Sequence, residues 1–112
     1  MYYRVTGKGE PEKAEEYLSK ALKIKYKKIS DHKYYIAETK CELGKSFLLQ
    51  GKYNKARLLL LKNFDFLKKE LGKKNIQTIY AAGIIAKLYL KLKEPEEANR
   101  YNDFISDNAL NR

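Results

Sequence analysis

The chain has 112 residues, 44% of them hydrophobic and 34% charged, with two prolines, six glycines, one cysteine and a formal net charge of +10. That length suits one domain, and that balance is ordinary for a soluble helical protein and does not indicate disorder. A single cysteine excludes an internal disulfide and agrees with a reducing, cytoplasmic setting.

In chain order, Met1 to Thr6 occupy the place where a first helix would end, and Gly7-Lys8-Gly9-Glu10-Pro11 makes a turn, with proline suited to a first helical position. The spacing of Ala14, Leu18, Ala21, Leu22 and Tyr26 predicts a helix from Pro11 to Lys28. Ser30-Asp31-His32-Lys33 then connects to a helix over Tyr34 to Gln50, whose Leu43, Gly44 and Phe47 share one face. Gly51 supplies the left-handed residue that commonly ends a helix. A further helix begins near Tyr53 and buries Ala56, Leu60, Asn63, Phe64 and Leu67 before a turn at Leu71 to Asn75. The next, Ile76 to Leu92, presents Ile79, Ala82, Ile85, Ala86 and Tyr89. After Lys93-Glu94-Pro95 the last helix runs to Ala109, with Ala98, Tyr101, Phe104 and Ile105 for burial and Glu96 and Glu97 at its positive end. The expected class is all-α.

These elements repeat. Ala14, Ala56 and Ala98 are spaced 42 residues apart, and at the same offset Leu43 answers Ile85, Gly44 answers Ala86, Phe47 answers Tyr89, and Tyr53 falls between Pro11 and Pro95. The pattern Leu43-Gly44-x-x-Phe47, then Gly51, then Ala56-x-x-x-Leu60 resembles the tetratricopeptide repeat, in the longer 42-residue variety of kinesin light chains and many bacterial regulatory arrays. The resemblance implies an α-α superhelix, a right-handed stack of antiparallel hairpins with about two and a half repeats. Residues 1-33 would form a partial repeat, 34-75 and 76-112 complete ones, all within one domain.

It also implies a non-enzymatic scaffold for a peptide or partner protein, with a concave groove lined by the first helix of each hairpin. By resemblance the groove positions are Glu38, Cys41, Lys45 and Leu48, matched by Tyr80, Gly83, Lys87 and Leu90. Lys45 and Lys87 beside Leu48 and Leu90 suit an acidic, partly hydrophobic segment. Where kinesin light chain repeats carry paired asparagines this chain has Cys41-Glu42 and Gly83-Ile84.

Catalysis would have to come from His32 and Cys41, the only residues of their kinds, and nothing in their spacing brings them together. One of each cannot make a structural zinc site, and Gly7-Lys8-Gly9 lacks the ending of a phosphate loop, so no catalytic residue, metal or cofactor is expected. The longest uncharged run, Asn75 to Ala86, falls far short of the roughly 20 apolar residues of a membrane span, and MYYRVTGKGEPEK has no signal-peptide core. No membrane partner is therefore expected. The lysines, spread through every segment and interleaved with Glu12, Glu15, Glu16, Glu70, Glu96 and Glu97, leave nucleic-acid binding as the alternative function. A second alternative is an oligomerisation segment of a larger regulatory protein. The repeat count leaves both ends without a capping unit, which points to a piece of a longer array or to self-association through Met1, Tyr2 and Val5 at one end and Tyr101, Phe104 and Ile105 at the other.

Overall fold

In a computed structural model the chain is described over residues 11-24 and 29-109. Among these residues there are five α-helices and no strand: α1 (Pro11–Ile24), α2 (Ile29–Leu49), α3 (Tyr53–Leu71), α4 (Ile76–Lys91) and α5 (Pro95–Asn108). The all-α class is therefore correct. The stub at Met1, Tyr2 and Val5, the turn at Gly7 to Glu10, and Tyr26 with the expected end of the first helix lie outside the described residues. One boundary moves: Ser30-Asp31-His32-Lys33, expected as a connection, lies inside α2. No glycine or proline interrupts the chain from Ile29 to Leu43, so no residue in it breaks the helix.

Contacts divide the chain into two units, one ending at Leu59 and the other starting at Leu60, so the division falls inside α3. In the first unit α1 packs on α2. Ala14, Leu18 and Leu43 form the buried centre, with Leu22, Phe47 and Leu59 against it. Lys52 and Lys55 set their ammonium groups over the Phe47 ring, 6.0 and 5.7 Å from its centroid.

Polar contacts tie the start of α1 to the end of α2. Ser46 Oγ donates to the Pro11 carbonyl at 2.6 Å, and Gln50 Nε2 donates to Glu15 Oε1 at 2.7 Å. Lys52 Nζ reaches the same carboxylate oxygen at 3.0 Å. The Gln50 hydrogen bond is the main reason the Glu15 carboxyl is held below its usual value of 4.5; partial burial opposes it, and Lys52 reinforces it. Both ion-pair side chains keep contact with water, so the amide contributes more than the charge pair. A lowered carboxyl stabilises the fold fully above pH 4.5 and loses that contribution as the pH falls through its folded value. Gln50→Ala is expected to cost about 1 kcal/mol at pH 7. Denaturant melts across acid pH should show the difference from the parent chain closing as Glu15 protonates; a difference unchanged with pH would reject the coupling.

In the second unit α4 packs on α5. Ala82, Ile85, Ala86, Leu88 and Ala98 are buried, and Phe64 and Leu67 of α3 are buried as well. Asn75 caps α4, its Oδ1 accepting from the Gln77 N–H at 2.8 Å, and Pro95 opens α5. Tyr101, Phe104 and Ile105, expected to lie uncovered, are each half-buried. Phe64 meets Tyr101 and Phe104 edge-on with centroids 5.4 and 5.1 Å away, and Tyr89 stacks on Tyr101 at 6.0 Å. The apolar surface expected for self-association at this end is reduced accordingly.

Two helix endings 42 residues apart share a pattern of backbone hydrogen bonds. At the end of α2, the N–H groups of Gln50, Gly51 and Lys52 donate to the carbonyls of Ser46, Leu48 and Phe47 at 3.1, 3.0 and 2.8 Å, and Ala56 N–H donates to Lys52 O at 3.0 Å. At the end of α4, Leu92, Lys93 and Glu94 donate to Leu88, Leu90 and Tyr89 at 3.0, 3.1 and 2.9 Å, and Ala98 donates to Glu94 at 3.1 Å. Both are Schellman endings, which need one left-handed residue: Gly51 at φ 79° in the first and Lys93 at φ 61° in the second. An L-residue with a Cβ is disfavoured there by roughly 1 kcal/mol. Exchanging the two is therefore expected to give opposite signs, Lys93→Gly stabilising and Gly51→Lys destabilising, each by roughly 1 kcal/mol in urea titrations. Nothing lies within 4 Å of a Cβ at Gly51, so backbone strain alone sets that cost.

Candidate interaction surface

The eight positions expected to line a groove fall into two sets, four on α2 in the first unit and four on α4 in the second. Along each helix they follow one face.

On α2 that face is largely closed. Cys41 is 0% exposed and Leu48 7%, while Glu38 and Lys45 are half-buried. Neither Cys41 nor Leu48 can meet a partner there. The reason is the run of small side chains around the helix: Ala37, Thr39, Gly44 and Ser46 are buried too, and together they let α2 be buried on more than one face.

On α4 the corresponding face is open. Lys87 and Leu90 are exposed, Leu90 at 57%, and Tyr80 and Gly83 are half-buried. A Cβ added at Gly83 would lie 4.0 Å from Ile105 Cδ1, an ordinary contact, so this glycine borders α5. The result is a strip of phenol, bare backbone, ammonium and isobutyl side chain along one helix. Such a strip can take an apolar side chain and a carboxylate together.

A separate open pocket of about 190 Å³ lies between α3 and α5, lined by Phe64, Lys68, Glu97, Arg100, Tyr101 and Phe104. Sequence spacing marks these aromatics for one helix face and gives no sign of an opening beside them. The charges at its mouth are matched along their own helices, Lys68 with Asp65 at 3.9 Å and Arg100 with Glu97 at 3.5 Å. Lys68 also sits 4.8 Å from the Phe64 centroid. Burial, with the neighbouring Tyr89, raises the Tyr101 hydroxyl above its ordinary value of 10.0.

Among the described residues no group of three or more His, Cys, Asp or Glu side chains gathers where a metal ion could be held. Among the same residues no helix is long and apolar enough to cross a membrane. No family model, curated protein or solved structure matches the chain.

Proposed function

We propose that the chain is a non-enzymatic interaction module of the tetratricopeptide-like kind, its hairpins stacked as in that family, and that it holds an acidic, partly apolar segment of a partner protein against α4. The observation that carries this reading is a helix connection in which four backbone hydrogen bonds recur 42 residues apart, because repeated helical hairpins are scaffolds that present helix faces to partners. The open strip of Tyr80, Gly83, Lys87 and Leu90 supplies the face. Full burial of Cys41 speaks against its use as a nucleophile, since attack requires access to the sulfur.

The test is fluorescence anisotropy with labelled peptides in which Asp or Glu alternates with Leu. Lys87→Glu is expected to weaken binding about tenfold or more, because it sets like charges together. Lys45→Glu, on the closed α2 face, should do less. Gly83→Ala separates stability from binding: alanine at this helical position should stabilise the fold by roughly 0.5 to 1 kcal/mol while a methyl group intrudes on the strip and weakens the peptide. Equal binding by the parent chain, Lys87→Glu and Gly83→Ala would remove α4 as the site.

A further inference from the structure

The junction between α3 and α4 reads Lys68-Lys69-Glu70-Leu71-Gly72-Lys73-Lys74-Asn75-Ile76, four ammonium groups against one carboxylate. Lys68 turns back toward Asp65 and the Phe64 ring, whereas Lys69, Lys73 and Lys74 are exposed. Beside them Ile76, the first residue of α4, is 80% exposed, more than any other large apolar side chain among the described residues. Local bonds fix the segment. Gly72 N–H donates to Lys68 O at 3.1 Å, Thr78 Oγ1 donates to Gly72 O at 2.8 Å, and Asn75 caps the helix that begins at Ile76. An exposed apolar residue thus follows exposed lysines in a segment fixed by local bonds.

Hydration disfavours that arrangement for isoleucine, and contact with a surface that is both anionic and oily relieves it. Lysine stems reach outward to phosphates, and a branched aliphatic side chain enters the boundary between headgroups and acyl chains. The position 42 residues earlier holds Tyr34, also exposed at 45%, with Lys33 Nζ 5.2 Å from its ring. We propose that the α3–α4 junction docks on an anionic lipid surface, with Lys69, Lys73 and Lys74 at the headgroups and Ile76 inserted between them. A nucleic acid is the other polyanion these lysines could meet. It would give Ile76 no apolar environment, and the junction carries neither an arginine fork for phosphates nor an aromatic ring for bases. The docking is peripheral and goes beyond the peptide-binding reading, on which it does not depend.

Co-sedimentation of the full chain with vesicles of phosphatidylserine in phosphatidylcholine, and with phosphatidylcholine alone, tests it. Binding is expected only to the anionic vesicles and should weaken with salt. Lys73→Ala with Lys74→Ala should lower the partition coefficient about twenty-five-fold, about fivefold for each lysine, equivalent to about 1 kcal/mol apiece. Ile76→Ser should lower it about tenfold or more with an unchanged circular dichroism spectrum, since the side chain supports little of the fold. A gel shift with a duplex DNA oligonucleotide runs beside these. No sedimentation with anionic vesicles at micromolar protein overturns the proposal, and so does vesicle binding unaffected by Ile76→Ser. A DNA affinity exceeding the vesicle affinity and indifferent to Ile76 overturns it in favour of nucleic acid.

Discussion

Replacing Phe64 with alanine is expected to lower the unfolding free energy by about 4 kcal/mol, a large share of the roughly 5 to 15 kcal/mol that holds a small domain folded. Phe64 is 4% exposed, and its ring takes two others edge-on, Tyr101 at 65° and Phe104 at 77°. Truncation removes the transfer energy of a phenyl group, leaves a cavity, and cancels both ring contacts. The Lys68 ammonium over the ring is a smaller effect, because that side chain remains 36% exposed and water competes for its charge. Lys68→Met should therefore cost under about 1 kcal/mol. Urea denaturation followed by circular dichroism separates the two variants, and a double-mutant cycle of Phe64→Ala with Phe104→Ala isolates the ring pair. A loss below about 1.5 kcal/mol for Phe64→Ala would show that the three rings do not form a packed cluster.

The same variant has a titration signature. Tyr101 resists ionisation mainly because it is partly buried, and secondarily because Tyr89 lies beside it. A raised phenol favours the fold fully below its ordinary value of 10.0, and the contribution disappears as the pH rises through the folded value. Opening the site with Phe64→Ala admits water, so absorbance titration near the phenolate band should show one tyrosine moving back toward 10.

Much of this fold is readable from residue types because its punctuation is local. Pro95 at a first helical position, Gly51 just past a last one, and Asn75 before an apolar helix each act within a turn, and the structure starts or stops helices beside them. The start of α2 is less legible, since Ser30-Asp31-His32 contains residues equally suited to a turn and to a helix's first turn. The candidate groove is harder still. Leu48 and Leu90 are the same residue type 42 residues apart, yet one is 7% exposed and the other 57%. A period in the sequence records what packs inside a hairpin. It is silent on whether the other face of a helix is covered, and around α2 the small side chains of Ala37, Thr39, Cys41 and Ser46 permit burial on faces that apolar spacing leaves unmarked.

Leu18, Leu60 and Asn102 are spaced 42 residues apart, and they are expected to respond to alanine in two distinct ways. Leu18 is 1% exposed and Leu60 0%, while Asn102 is exposed. Leu18→Ala and Leu60→Ala should each cost about 3 kcal/mol, since each loses a buried isobutyl group and leaves a void. Asn102→Ala should stay within about 0.5 kcal/mol of the parent. One turn further on the contrast recurs, with half-buried Leu22, buried Phe64 and exposed Ser106. On α5, then, the face that is apolar in α1 and α3 carries polar side chains, and water covers it at little cost. That polarity argues against α5 recruiting another copy. Asn102→Leu combined with Ser106→Phe rebuilds the α3 pattern on α5 and should produce concentration-dependent association, as an exposed apolar patch of that kind does. Sedimentation velocity across a concentration series, with the parent chain alongside, reads this directly. Association of the parent through α5 to the same extent as the double variant would show that Asn102 and Ser106 do not set the behaviour of that face.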